Sequence, residues 1–215
     1  MLKRILCAAL CVATLQGVAK PKSIGIQGGL NYSDLKSGIN VSPGLANNFG
    51  ITIQKYRNKY VFFETGMALD KNAVINKLVV DPTGQVIQNA EITATSTYIS
   101  IPLIVGFKTG GKFFAYTKLG VAPSVLLSWN QELNTNVQGI QVGFFKYSPS
   151  LKISPNAEIG IGKLFGKRFA ITLGTKANYQ LFSLYDTKAV DSDGRFFYKS
   201  LGVNLGMHFF IKKMD

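Results

Sequence analysis

Apolar and polar side chains alternate along almost the whole chain, and this two-residue period predicts β-strands. Segments with helical spacing are nearly absent. The alternating segments are Ser23–Tyr32, Leu45–Gln54, Tyr60–Leu69, Thr93–Phe107, Lys112–Trp129, Leu151–Gly162, Arg168–Phe182 and Lys199–Lys212. The pattern therefore predicts an all-β protein built from eight antiparallel strands.

The two faces of these segments differ in side-chain size. One face carries large apolar residues, such as Ile24 and Ile26, whereas the opposite face is small or polar, as at Gly25 and Gln27. The interior of an eight-stranded barrel is just wide enough to be filled by side chains, so the small and polar face fits inside. A bulky apolar outer face is unsuited to water and is typical of a barrel wall in contact with lipid.

The connections between the segments alternate in length. Short links lie around Asn58, at Thr109–Lys112 and at Phe165–Arg168, whereas longer ones span Ser33–Gly44, Asp70–Ile92, Asn130–Ser150 and Ser183–Tyr198. Transmembrane barrels alternate short periplasmic turns with longer external loops. The prediction is an eight-stranded, up-and-down transmembrane β-barrel with long external hairpin loops and short periplasmic turns.

Two of the long connections have strand character of their own. Lys77–Gln88 contains the turn sequence DPTG between two alternating runs, and Ile140–Tyr147 is also strand-like. We expect hairpins that project past the membrane. They either only complete the barrel wall or, as the alternative, offer an edge to which a protein partner adds a strand. Two water-soluble folds stay open at this point: a lipocalin-like carrier barrel and a two-sheet sandwich that buries the bulky face.

The N-terminal residues have a different pattern. Two basic residues precede an apolar run from Ile5 to Leu15, and small residues follow up to Ala19. This order is typical of a secretory signal peptide, and the run is shorter than the roughly 20 residues that a membrane-spanning helix needs. We expect a signal peptide over residues 1–19 and one barrel domain over residues 20–215.

The charge balance is basic and bears on possible partners. The chain has 24 Lys and Arg against 11 Asp and Glu, and 22 against 11 once the leader is removed, an excess of 11. An exported basic chain meets lipid headgroups and lipopolysaccharide phosphates. We expect outer-membrane lipid and lipopolysaccharide as partners, and no nucleic acid, because no arginine-rich helix or basic run accompanies the charge.

Residues typical of catalysis or metal binding are scarce. Both cysteines, Cys7 and Cys11, lie in the leader, and His208 is the single histidine, on the inward face of the last segment. A covalent catalyst needs a nucleophile with a base beside it, and the glycine clusters lack the strand–loop–helix context of a phosphate cradle. We predict a non-enzymatic protein without a cofactor or a metal site.

Four charged side chains fall on inward positions of the segments: Glu64, Lys118, Glu158 and Lys176. Buried charges need partners, so we predict a charge network in the lumen that plugs the barrel and limits conduction. The alternative is that these residues line a narrow path for a small solute.

Aromatic residues mark both ends of the fifth segment. Phe113 and Tyr116 begin it beside a short turn, and Trp129 ends it beside a long loop. These positions suit the two headgroup belts of a membrane, and we assign the three residues as interface aromatics. The alternation at the same time places Tyr116 on the inward face.

Short stretches of the chain resemble a known family. GIQGGLNYSDL and YISIPLIVGFK are similar to the PorT-like outer-membrane β-barrel domain of Bacteroidota, and SLGVNLGMHFFIKK looks like the closing strand of such barrels. The resemblance implies an outer-membrane location in a Gram-negative cell. For the named member it also implies a role in building a secretion apparatus, which most members of the group do not share.

The sequence therefore predicts a small, non-enzymatic outer-membrane barrel that acts as a structural or interaction module through its external hairpins. The first alternative is an accessory or assembly factor of a secretion system. The second is a soluble lipocalin-like carrier.

Overall fold

A computed structural model describes residues 23–36, 41–77, 90–134, 150–184 and 197–211. The strands are β1 (Ser23–Lys36), β2 (Val41–Tyr56), β3 (Val61–Asn76), β4 (Glu91–Ser100), β5 (Leu103–Lys108), β6 (Phe113–Asn134), β7 (Leu151–Phe165), β8 (Phe169–Tyr179), β9 (Phe182–Leu184) and β10 (Phe197–Phe210). The predicted signal peptide and the predicted projecting hairpins, apart from Lys77, lie outside the described residues.

The strands form one antiparallel sheet that closes on itself. β1 pairs with β2 on one side and with β10 on the other, which joins the two ends of the chain. β4 and β5 share one position between β3 and β6, and β8 and β9 share one position beside β7. The ring thus has eight positions, and the predicted eight-stranded, up-and-down barrel is confirmed.

The fourth predicted strand is interrupted at Ile101 and Pro102, where β4 ends and β5 begins. Pro123 of β6 lies opposite this break, since its neighbours Val121 and Ser124 pair with β5 and β4. Neither proline has an amide hydrogen, so each strand lacks one ladder donor at this point. The interruption is local, because the Ile101 amide still donates to the Pro123 carbonyl at 3.0 Å.

Prolines inside strands also predict bulges, and this expectation is wrong for the β6–β7 ladder. Its register continues through Pro123 and Pro155 without a shift. On the other edge of β7 the register does shift by one residue at Pro155, between the pairs Ile153–Phe182 and Asn156–Asn178. Further shifts lie between Pro43 and Asn48 in the β2–β3 ladder and after Thr97 in the β4–β6 ladder. A proline is tolerated where its nitrogen points away from the pairing partner, because an antiparallel ladder uses alternate residues toward each neighbour.

The outer wall of the ring is apolar, as predicted. Leu30, Ile159 and Leu201 are 56%, 68% and 57% exposed, whereas the small and polar face lies inside. A sandwich is excluded because the strands form one closed sheet. A lipocalin-like carrier is excluded because the bulky side chains lie outside the ring and not around a ligand cavity. The wall is therefore the lipid-facing surface of a transmembrane barrel.

The strands extend further on the external side than the sequence predicts. β1 and β2 stay paired up to Ser33 and Gly44, both of which were assigned to a loop, and residues 37–40 alone separate the two strands. β6 likewise continues to Asn134, beyond the predicted end at Trp129. Continued cross-strand pairing carries the wall past the apolar band and shortens the external connections.

The short turns form as predicted, and two of them depend on glycine. Gly111 and Gly166 have φ angles of 109° and 63°, a left-handed conformation that side chains other than glycine rarely adopt. The third turn is held by Asn58, whose Oδ1 accepts the amides of Tyr60 and Val61 at 2.9 and 2.7 Å. In the part of the chain that the structure describes, no helix has the length and apolar character needed to cross a membrane.

Candidate functional site

Three charged side chains meet inside the barrel. Lys118 Nζ lies 3.1 Å from Glu64 Oε2 and 3.5 Å from Glu158 Oε1, and all three side chains are buried. β6 and β7 place Lys118 and Glu158 directly opposite each other in their ladder. Glu64 comes from β3, and Gly106 of β5 pairs with Lys118, so no side chain of that residue stands between them.

Each carboxylate also accepts a hydrogen bond from a neutral side chain. Gln54 Nε2 donates to Glu64 Oε2 at 2.7 Å, and the Tyr116 hydroxyl donates to Glu158 Oε1 at 2.6 Å. Such charge-assisted bonds are what makes a buried ion pair tolerable, because the remaining lone pairs are also satisfied. The cluster of Glu64, Lys118 and Glu158, with these two donors, is called the ion cluster below.

The fourth predicted network residue, Lys176, lies apart from the ion cluster. It is buried and pairs with Glu158 in the β7–β8 ladder. Among the described residues, however, no ion pair within 4 Å involves Lys176, because Lys118 and Tyr116 already hold the Glu158 carboxylate. The structure thus brings together three of the four predicted charges.

The three predicted interface aromatics have different surroundings. Phe113 is 70% exposed on the outer wall beside a short turn, and Trp129 is half-buried near the external end of β6. Tyr116 is only 5% exposed, and the interface assignment is wrong for it. Strand alternation turns its ring into the lumen, where it donates to Glu158. Headgroup contact of Phe113 and Trp129 stays a prediction.

An aromatic cluster fills the lumen at the short-turn end. It consists of Tyr56, Phe62, Ala170 and Phe210, with Phe114 and Leu164 packed against it. Lys108 Nζ lies 4.5 Å from the ring centroid of Tyr56 and 5.6 Å from that of Phe210, so its charge rests on aromatic faces. We call this group the aromatic seal. The aromatic seal could have been predicted from the sequence, because large residues occupy inward positions next to the short turns.

The outer half of the lumen is held by neutral groups. Asn48 Nδ2 donates to Asn31 Oδ1 and to Asn204 Oδ1, both at 3.0 Å. The hydroxyls of Ser100 and Ser124 are 2.8 Å apart and share a hydrogen bond. These residues come from β1, β2, β10, β4 and β6, so the amides and hydroxyls link strands around the ring. We call the three asparagines the asparagine cluster.

A buried lysine also lies in the outer half. Lys152 Nζ is 3.7 Å from the ring centroid of Tyr98 and 5.9 Å from that of Tyr198. All three side chains are buried. A cation over a desolvated ring is stabilised by the ring quadrupole, and Asp70 lines the same small cavity as Lys152.

Two small cavities lie inside the described lumen. One of about 20 Å³ lies between the aromatic seal and the ion cluster, and one of about 30 Å³ lies in the outer half beside Lys152. Each has room for about one or two water molecules. His208 borders the first cavity, and its ring fits there because Gly25, its cross-strand neighbour, has no Cβ to collide with it.

The chemical groups needed for metal binding are not assembled in the described ranges. No group of three or more His, Cys, Asp and Glu side chains there is placed to hold a metal ion. The arrangement that is present consists of the ion cluster, hydrogen-bonded amides and hydroxyls, and packed rings. It can fill and rigidify the lumen.

Comparison with known proteins identifies one family. The sequence model of a family described as "Outer membrane protein beta-barrel domain" matches residues 16–186, which include β1 to β9. A search of curated protein sequences found no match.

Solved structures of small barrels resemble the chain at low sequence identity. OprG from Pseudomonas aeruginosa is 12% identical, with 88% of this chain and 96% of that chain covered and a TM-score of 0.49. Neisserial surface protein A is 12% identical, with coverages of 87% and 97% and a TM-score of 0.45. Ail of Yersinia pestis, in complex with the heparin analogue sucrose octasulfate, is 12% identical, with coverages of 87% and 99% and a TM-score of 0.37.

Proposed function

Because the chain belongs to the outer membrane protein beta-barrel domain family, we propose that this small outer-membrane barrel is a non-enzymatic structural and interaction module with a closed lumen. The observation that carries the proposal is the filled interior. The ion cluster, the aromatic seal and the asparagine cluster leave cavities of about 20 and 30 Å³ among the described residues. A barrel without a path through it acts through its surfaces.

The external rim is the surface best suited to a protein partner. Paired strands continue there past the apolar band, to Lys36 in β1, Asn76 in β3 and Asn134 in β6. Projecting strands present backbone groups to which a partner can add a strand. We propose that residues 78–88 and 140–147, which follow β3 and β6, extend this rim as hairpins and make the contact. Lipid and lipopolysaccharide surround the wall below it.

Capture of partners from native outer membranes tests the interaction role. Tagged wild-type protein is cross-linked and purified beside a variant in which residues 78–88 and 140–147 are replaced by short Gly-Ser links. We expect wild type to retain a defined partner that the variant loses, while both migrate as folded, heat-modifiable barrels. An unrelated barrel of equal abundance is purified in the same way as a control. If the wild type retains no protein beyond those that this control retains, the interaction role is contradicted.

A narrower role, as an accessory or assembly factor of a secretion system, is supported by the resemblance of GIQGGLNYSDL and YISIPLIVGFK to PorT-like barrels. It makes a distinct prediction in the same capture experiment. The retained proteins would belong to a secretion apparatus, and removal of this protein would stop export through that apparatus. A stand-alone module would leave export unchanged.

The alternative of a narrow solute path also has its own test. Liposomes that contain the purified barrel are placed in small sugars or amino acids, and their swelling is followed by light scattering. We expect the same rate as for liposomes without protein, since the two cavities between described lumen residues have volumes of only about 20 and 30 Å³. Faster swelling that a Lys118 variant alters would support the path instead.

A further inference from the structure

Exposed charges differ between the two ends of the barrel. Those at the short-turn end are Lys55, Arg57, Lys59, Lys112, Lys163, Lys167 and Arg168, and the described residues at this end include no exposed Asp or Glu. The described external end mixes both signs. There, Lys199 Nζ lies 2.8 Å from Asp34 Oδ2, and Lys77 Nζ lies 3.8 Å from Glu91 Oε1. Among the residues that the structure describes, the exposed charges of the short-turn rim are therefore all basic.

An apolar groove opens on the outer wall at the same end. It has a volume of about 480 Å³ and runs along β6, β7 and β8. Ala115 is the small residue at its floor, and larger side chains, including Phe113, Ile161, Phe165 and Leu173, border it. The groove is thus a recess in a surface that faces the hydrocarbon of the periplasmic leaflet. A small outward residue among large ones creates it.

One charged side chain is built into this groove. Lys163 is the cross-strand partner of Phe113, and its Nζ lies 4.9 Å from the Phe113 ring centroid and 5.1 Å from that of Phe165. On the outward face of β7 it stands between Ile161 and Phe165, both apolar. A lysine in a lipid-facing wall places its stem along apolar groups and its ammonium toward the headgroups. Lys163 therefore extends from the apolar groove to the depth at which the lipid phosphates lie.

The adjacent turn brings a second base to the same place. The Leu164 amide donates to the Lys112 carbonyl at 2.7 Å, which ties the TGGK turn to the end of β7. Lys167 and Arg168 lie in the next short turn, directly after Phe165. Apolar surface and several positive charges thus meet at one edge of the groove.

We propose that this groove binds an acyl chain of an anionic phospholipid of the periplasmic leaflet, whose phosphate contacts Lys163 and the neighbouring turn bases. A lipid is the occupant that fits both halves of the site, because the groove opens into the membrane and not into water. Anionic headgroups match the excess of positive charge. The inference rests on the barrel and its orientation in the membrane, and it is independent of the role proposed for the external rim.

Lipid retention measured by native mass spectrometry tests the site. Delipidated barrel in mild detergent is mixed with equal amounts of phosphatidylglycerol and phosphatidylcholine of identical chains. We expect wild type to retain phosphatidylglycerol about fivefold over phosphatidylcholine, the effect of about one base near an anionic surface. Lys163→Gln should lower this ratio, because it removes one base from the phosphate, and Ala115→Leu, which fills the groove, should reduce retention of both lipids.

Lys71→Gln is the matched control, because Lys71 also faces outward but lies toward the external end. It should leave the lipid ratio unchanged, and heat-modifiable migration verifies that each variant is folded. Equal retention of the two lipids by wild type, or equal ratios in Lys163→Gln and Lys71→Gln, overturns the proposal. So does inorganic phosphate that displaces the lipid from wild type, since free anion would then be the ligand of the basic rim.

Discussion

The two halves of the lumen are closed by different chemistry. The short-turn half contains the ion cluster and the aromatic seal, in which Lys118 pairs with two carboxylates and Lys108 rests on rings. The outer half contains neutral amide and hydroxyl pairs, led by the asparagine cluster, and its Lys152 lies over Tyr98. Both halves are filled, but the short-turn half depends on compensated charge and the outer half mainly on neutral hydrogen bonds.

This difference determines how each half responds to the loss of one partner. A carboxylate left unpaired in a buried site retains its charge with little solvation, whereas an unpaired amide leaves only a dipole. The barrel should therefore be most sensitive in the ion cluster, less so in the asparagine cluster, and least where one neutral hydroxyl is removed from the aromatic seal.

The largest effect is expected for Lys118→Met, which leaves Glu64 and Glu158 buried without their shared cation. Breaking a buried pair by removing one partner costs about 3–5 kcal/mol. The free energy of unfolding is measured by urea titration of the refolded barrel in lipid vesicles. Adding Glu64→Gln to Lys118→Met should recover part of the loss, since one uncompensated charge is then removed.

Lys71→Met provides the control for that substitution, because Lys71 is exposed on the outer face of β3. It should change the free energy of unfolding by less than about 0.5 kcal/mol. If Lys118→Met changes the free energy of unfolding as little as Lys71→Met does, the ion cluster does not stabilise the short-turn half.

A smaller loss is expected for Asn48→Ala in the outer half. The substitution removes the donor that reaches both Asn31 and Asn204 and leaves two acceptors unpaired. The free energy of unfolding should fall by about 1–3 kcal/mol in the same titration. Its neighbour Asn47 points outward and is exposed, so Asn47→Ala is the matched control and should be nearly neutral. If Asn48→Ala lowers the free energy of unfolding more than Lys118→Met does, the outer half is the more sensitive one and the comparison is contradicted.

The smallest effect is expected for Tyr56→Phe. The ring keeps its contacts in the aromatic seal, and only the hydroxyl that donates to Gln54 Oε1 at 2.7 Å is lost. The free energy of unfolding should fall by about 0.5–1.5 kcal/mol. Tyr60→Phe, at an exposed ring, is the control. If Tyr56→Phe loses the folded, heat-modifiable form, the hydroxyl contributes more to stability than a single hydrogen bond does.

Much of the wall was predictable from the sequence because its signal is local. The contrast between Ile26 outside and Gln27 inside repeats along most of the strands, and it predicts the strands and their faces. The short turns are equally local, since Gly111 and Gly166 allow φ angles that other residues disfavour. Interruption at Pro102 also has a local cause, although its place opposite Pro123 depends on register.

The contacts inside the lumen were only partly predictable. Periodicity identified Glu64, Lys118, Glu158 and Lys176 as inward, but which of them meet depends on the stagger of the strands around the ring. Lys176 is adjacent to Glu158 in the ladder and still forms no ion pair in the described ranges. The place of Tyr116 near a short turn predicts a position at the membrane interface. Its place in the strand alternation predicts a position in the lumen. The structure shows that strand phase decides.

Single-channel recording of the wild-type barrel in a planar lipid bilayer tests the closed lumen most directly. Protein that has first been shown to be folded by heat-modifiable migration is inserted, and current is recorded across a range of voltages. The filled lumen predicts no stable, large conductance steps. Large and long-lived openings from folded wild-type protein would contradict the account.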